Sequence, residues 1–470
     1  MARPLAFASL SLTRLSGWQG EGLGVRASPS YQPSIKNLMK HFNLRSLTLL
    51  SLFTLCALPL SAQNEPDTPT LVPPDLPTLS APELDHTSDK ERGEMRGLWV
   101  VRDSLRSPKA IRNVVETAVK YHFNALFVQV RGRGDAFYQS VYEPRAEILA
   151  GQPALFDPLA TMVVEAHAKG LQVHAWMNTY LTWSGSRPPR SKQHLWNAHR
   201  SWFTQDTKGK CSCVPNDKCE GGFLQPSNPA VQDHLFRVFT DVASRYDVDG
   251  IHFDYCRYAN SEHDFSPGTL SRFRLARQAQ LSPDQFEKID LRRAKDPKAF
   301  VHAYPNEWGE WRRAQVTALV TRISEAVKAE KPFMEVSAAV FADGYDAFKY
   351  RGQEWENWLK SGVIDAVALM SYDKNTERVL AQTRRAVEIA GERHVYTGIG
   401  AWRLGAADVA HKIAKVRETG AAGVNLFSYD GVHTRPEYLA TLSRGVFSSR
   451  AGTPRMRWLP PRKSVDKGNK

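Results

Sequence analysis

Apolar residues along this chain fall into two recurring patterns. Compact apolar or alternating runs at 95–101 (M-R-G-L-W-V-V), 125–130 (A-L-F-V-Q-V), 171–177, 333–339, 366–370, 394–398 and 423–427 have the length and period of β-strands. So does the run ending at Asp254 in V-D-G-I-H-F-D-Y-C-R-Y-A (248–259), where Ile251 and Phe253 alternate with His252 and Asp254. Between these runs lie stretches of helical spacing: 108–121, 158–169, 229–246, 307–328, 354–360, 376–390 and 407–419, with a last one starting at Pro436. Ser107-Pro108, Asp157-Pro158 and Asn228-Pro229 each set a capping side chain before a proline at the first helical position. Gly170, Gly362, Gly391 and Gly420 stand where helices end in the left-handed conformation.

Eight strands, each followed by a helix, predict an α/β fold: a (β/α)8 TIM barrel over residues 93–446. Its helix-to-strand connections are short and glycine-rich, and its strand-to-helix connections are long, as a barrel with its active site on the strand C-terminal face requires. Residues 260–306 break the rhythm with charged helical segments and read as an insertion after strand four. A doubly wound open sheet is the competitor, but Arg131-Gly132-Arg133-Gly134-Asp135 opens no helix at the spacing of a phosphate-binding turn.

The formal charge of +13 would suggest a nucleic-acid partner if it lay on the body of the protein. Residues 1–62 hold six Lys/Arg and one acid, and residues 447–470 hold seven and one, so the middle carries 13 − 5 − 6 = +2. That excludes a nucleic-acid reading. Met39 to Arg45 form a basic n-region, residues 46–60 an apolar run and Ser61-Ala62 a small-residue cleavage point, which predicts a secretory signal peptide at 39–62. Residues 1–38 then read as an upstream extension from a misplaced start codon. The 63–92 segment, rich in Pro, Asp and Thr, reads as a spacer, and 447–470 as a basic disordered tail too poor in apolar residues to dock. No integral membrane span is expected once the signal is removed, and the oligomeric state is not legible. Export also makes two disulfides the expectation for Cys211, Cys213, Cys219 and Cys256, in any of three connectivities, with a four-thiolate zinc site as the alternative.

If the barrel is right, its strand ends assemble carboxylates, arginines, amides and indoles on one face. Sugars need that mixture, with aromatic rings for their C–H faces and polar groups for their hydroxyls. Glycoside hydrolysis requires two carboxyl groups across the scissile bond. Asp254 is the first candidate and Asp373, in A-L-M-S-Y-D, the second; for each the competing role is a helix cap. Arg131, Asp135, Trp176, Asn178, His252, Arg257, Tyr372, Trp402, Asn425 and Tyr429 are the substrate-binding candidates. For His252 the bland alternative is a satisfied core histidine, and for Arg131 and Arg133 a pairing with Asp135. No H-E-x-x-H or G-x-S-x-G motif occurs, so no metal, no cofactor and no serine nucleophile is expected.

These stretches together resemble the glycosyl-hydrolase-like family ten, which includes enzymes acting on peptidoglycan glycan strands stripped of peptide. The resemblance lies in M-R-G-L-W (95–99), F-V-Q-V-R (127–131), F-D-P-L (156–159), E-A-H-A-K-G-L-Q-V-H-A-W (165–176), Y-D-V-D-G-I-H-F-D (246–254), W-R-R (311–313), V-I-D-A-V-A-L-M-S-Y (363–372) and Y-T-G-I-G (396–400). It implies a barrel glycosidase of the bacterial envelope with a polysaccharide substrate, and it equates Asp254 with the acid of the family's D-G-[VI]-[QH]-F-D motif. Two departures stand out: Tyr255 follows Asp254 where that enzyme has a second Asp, and Ala368 to Asp373 replace a P-Q-I-Y-W stretch.

Overall fold

The computed structural model describes residues 93–462, apart from Ser212, Asp217 and Lys218. The expected upstream extension, signal peptide and spacer, and the tail beyond Arg462, lie outside the described residues.

Eight parallel strands form the core: β1 (Met95–Val100), β2 (Ala125–Arg131), β3 (Gln172–Asn178), β4 (Gly250–Asp254), β5 (Glu335–Val340), β6 (Ala366–Leu369), β7 (His394–Gly400) and β8 (Gly423–Phe427). They close into a barrel in the order β1-β8-β7-β6-β5-β4-β3-β2. Eight helices follow the strands and wrap the barrel: α1 (Pro108–Lys120), α2 (Pro158–His167), α3 (Pro229–Arg245), α4 (Pro305–Glu330), α5 (Trp355–Lys360), α6 (Thr376–Ala390), α7 (Ala406–Arg417) and α8 (Pro436–Arg444). The predicted caps hold three of them: Ser107, Asp157 and Asn228 accept from Ala110, Ala160 and Ala230 backbone N–H groups.

Side chains alternate across each strand as the period of two demands. Ile251 and Phe253 of β4 join the apolar layer under the helices, whereas Trp99, Phe127, Trp176, Ala366, Ala368 and Tyr396 fill the barrel interior. Large rings fit there because their neighbours are small: a Cβ on Gly97 would strike Asn425 and Phe127. This interior is a packed floor, and chemistry is confined to the strand C-terminal mouth.

The insertion after β4 forms three short helices, Pro267–Gln278, Pro283–Asp290 and Ala299–Ala303, with its own core of Phe273, Ile289, Phe300 and Trp308 against the start of α4. The long loop after β3 pairs Leu181–Trp183 with Gly222–Phe223 in a small antiparallel sheet that the sequence pattern did not predict.

Two expectations are corrected. The tail is docked as far as Arg462, across the strand N-terminal face. Phe447 is buried against Phe123, Trp458 Nε1 donates to Asp365 (2.7 Å), and Arg462 pairs with Asp249 (2.8 Å) and with Asp247. Composition missed this because most of the tail's partners are acids at the strand starts, and its apolar anchors, such as Phe447 and Met456, are few. Of the two expected disulfides one is made, between Cys211 and Cys213. Cys219 and Cys256 are not bridged: the Cys219 thiol donates to Gly221 O (3.0 Å), and Cys256 lies buried with Gln353 Nε2 3.7 Å from its sulfur.

Candidate active site

Asp254 ends β4 beside Asn178 of β3, and both backbones continue in step: Thr179 N–H donates to Asp254 O (2.7 Å) and Tyr180 N–H to Tyr255 O (3.2 Å). The Asp254 carboxylate accepts two hydrogen bonds, from Trp176 Nε1 on Oδ2 (2.9 Å) and from Tyr255 N–H on Oδ1 (2.7 Å). To donate to the preceding side chain, Tyr255 adopts φ +49°, a conformation a bulky residue holds only when its surroundings fix it. Burial pushes the Asp254 carboxyl up to about 6, against the pull of the Tyr255 N–H, Arg257 and Trp176; the charge of Glu220 adds to the rise.

Rings line the cleft beside this carboxyl. Phe427 lies edge-on to Trp176 (6.2 Å) and Trp402 (5.4 Å) and tilted against Tyr372 (5.5 Å). Tyr372 meets Trp402 edge to face (5.1 Å), and Trp402 is 38% exposed. Burial raises the Tyr372 phenol well above its usual value, and the nearby Asp254 charge adds to the rise, so both belong to one site. Asn178 is also there: its Oδ1 shares the Trp176 indole proton (3.1 Å), and its Nδ2 donates to Gly132 O (2.7 Å).

Other predicted site residues go elsewhere. Arg131 is fully buried in an ion pair with Glu143 (2.6 Å) and donates to Asn178 O and Thr179 O, so it braces the loop after β3 and does not reach the cleft. The cause is a register shift in β2, which pairs Arg131 with Met177, a residue facing the helices. Asn425 is sealed in the floor above Gly97, with neither amide atom hydrogen-bonded. Tyr429 stacks on His433 (4.6 Å) and turns toward Thr117 of α1. His252 has the core fate: Trp99 Nε1 donates to its Nε2 (3.3 Å), its Nδ1 bonds Ser337 Oγ (2.9 Å), and burial drives its pKa far down, holding it neutral. Asp135 accepts from Arg133 N–H (3.1 Å) in a turn. Asp373 accepts from Asn375 N–H (2.8 Å) and lies 3.5 Å from Arg378, a third exposed at the start of α6.

Arg257 is buried below Tyr255, its guanidinium 4.6 Å from that ring, and donates to Glu220 (2.9 Å). Glu220 is the carboxylate that sequence reading missed. Burial opposes its ionisation, but Arg257, a backbone hydrogen bond and the charge of Arg351 together outweigh this and hold it below the usual carboxylate range. Glu220 comes from the cysteine loop, 37 residues before its partner, and no local motif joins the two.

A model of the family described as glycosyl hydrolase-like 10 matches residues 94–413. The glycosyl hydrolase YngK of Bacillus subtilis is 26% identical over 281 residues, covering 55% of this chain and 48% of that protein. The chain thus spans about half the length of that relative. The glycosyl hydrolase DigH of Escherichia coli is 24% identical over 371 residues, 68% of this chain and 76% of its own. Among solved structures, the PgaB (BpsB) glycoside hydrolase domain from Bordetella bronchiseptica superposes with a TM-score of 0.55 at 18% identity, over 74% of this chain and 98% of that one, a likeness of fold.

Proposed function

Because the chain belongs to the glycosyl hydrolase-like 10 family, we propose that it is an exported glycoside hydrolase cleaving a polysaccharide of the bacterial envelope, with peptidoglycan glycan strands as the first substrate to try. The observation that carries this reading is a pair of unlike carboxyl groups under an aromatic cleft. Asp254 is held up to about 6, while Glu220 is held below the usual range by Arg257. Environments that push two carboxyls apart in this way separate an acid from an ionised partner.

In this mechanism protonated Asp254, oriented by the Trp176 indole, gives its proton to the leaving glycosidic oxygen as the C–O bond breaks, while water adds to the anomeric carbon and its released proton passes to the Asp254 carboxylate, restoring the acid. Trp402, Tyr372 and Phe427 hold the sugar ring by its C–H face. Glu220 raises Asp254 by its own charge and by engaging Arg257, whose pull would lower it; held in that pair, it tunes the acid and does not itself act on the scissile bond. Export is supported by the basic and apolar segments at 39–60.

The test is release of sugar fragments from purified peptidoglycan, with and without its stem peptides, by the protein and by Asp254→Asn. Release that falls at least about a thousandfold in the variant supports the reading. Binding without release by either protein would make the barrel a glycan receptor.

A further inference from the structure

The loops after β1 and β2 bring two guanidinium groups to the mouth, and among the described residues neither makes an ion pair. Arg102 lies flat over Gly132, where an added Cβ would come within 2.5 Å of its Cδ and 3.0 Å of its Nη1. Arg133 is the next residue, its guanidinium 5.1 Å from the Trp183 ring. Among the described residues no carboxylate lies within 4 Å of either guanidinium. The acids nearby are engaged elsewhere or stand apart. Asp135 accepts the Arg133 backbone N–H, Glu147 accepts from the Arg190 backbone, and Asp103 faces solvent in part.

Arg102 spends one N–H on Gln129 Oε1 (2.9 Å), and the Nε atoms of both arginines are buried without a hydrogen-bond partner. Burial, and after it the charge of Arg102, lowers the pKa of Arg133 against the opposing charges of Asp135, Asp103 and Glu147. Two like charges held together with buried, unpartnered donors cost stability unless something of opposite charge completes them. The pair is also wired to the proposed acid. Gln129 links Arg102 to Asn178 (3.4 Å), and the Trp176 indole proton is shared by Asn178 and Asp254.

We propose that Arg102 and Arg133 form an anion subsite that takes a carboxylate carried by the glycan, on the sugar unit next to the one at Asp254. Guanidinium donors suit a planar carboxylate, and Gly132 is the residue that lets Arg102 lie close enough to share it with Arg133. This rests on the glycosidase reading and deepens it, since a neutral glycan would leave both guanidinium groups without an ion-pair partner. In peptide-free peptidoglycan strands the lactyl ether presents such a carboxylate, and coupling it to methylamine with a carbodiimide removes the charge with little change in shape.

The experiment measures Kd of both strands, native and amidated, for the full chain carrying Asp254→Asn, and for that protein with Arg133→Gln or Arg133→Lys added. Unfolding midpoints establish that each variant is folded, and Arg102→Gln serves as the second probe of the pair. Native strands should bind at least about tenfold tighter than amidated ones at low salt, less so at 0.15 M. Arg133→Gln should bring the ratio near one while leaving the amidated strand almost unaffected, and Arg133→Lys should keep part of it. Equal binding of the two strands by the parent, or an equal loss for both in Arg133→Gln, overturns the subsite and leaves the glycosidase reading standing. If neither strand binds, the substrate reading fails and the subsite fails with it.

Discussion

A carboxyl group loses its proton near pH 4 in water, and Asp254 is held to about 6 by apolar surroundings that two hydrogen bonds and Arg257 only partly offset. Glu220 adds to that rise, so its removal has a signature that a merely structural residue lacks. Glu220→Gln should lower the pKa of Asp254 and move the alkaline limb of kcat/KM down by roughly half a unit to one unit. Asp373→Asn, altering a turn at the start of α6, should leave the limb in place and change activity by less than about threefold. A limb that moves with Asp373 and not with Glu220 would restore the pairing read from sequence. Asp254, Trp176 and Asn178 were legible because they stand at strand ends, where alternation sets direction; Tyr372 and Trp402, three and two residues past their strands, were placed by their position at the mouth alone. Glu220 was not, since a loop insertion and an ion pair 37 residues apart leave no periodic trace.

At the scale of the element, the loop after β3 shows how a site can be rigid without regular structure. Arg131 caps the carbonyls of Asn178 and Thr179 from below and is itself held by Glu143, which burial pulls up but Arg131 and His234 bring down to about 2. Removing one partner of a buried pair strands the other. Arg131→Met should therefore destabilise the protein by about 3 kcal/mol in denaturant unfolding. Unchanged stability with weakened glycan binding would instead return Arg131 to the cleft. The sequence put it there because it follows the second strand at the C-terminal face, and a register shift near the strand end turns it toward the helices instead. Tyr429 misled for a related reason: it lies two residues past β8, where alternation no longer applies. The tryptophans of the same loop pack the loop itself. Trp196 sits under Arg200 (3.8 Å), and Trp202 stacks on His199 (4.0 Å).

Across the whole molecule, caps and glycines made the barrel legible before any contact was known, because several helix starts and stops are written in residues that satisfy exposed backbone groups. The tail was not legible by the same means. Its anchors are charge and one indole on Asp365 and Asp249, which also close the strand N-terminal face and leave the C-terminal mouth as the place for chemistry. At the mouth, the proposed reaction needs Asp254 in its protonated form. A carboxyl raised to about 6 is protonated below that pH and ionised above it, so an acid at this position loses function as pH rises. The measurement is kcat/KM for glycan release from pH 4 to 9. It should fall about tenfold per unit above roughly pH 6, with Asp254→Asn inactive throughout. Activity that instead rises through pH 6 and stays high at pH 8 would contradict this and make Asp254 an ionised base or nucleophile.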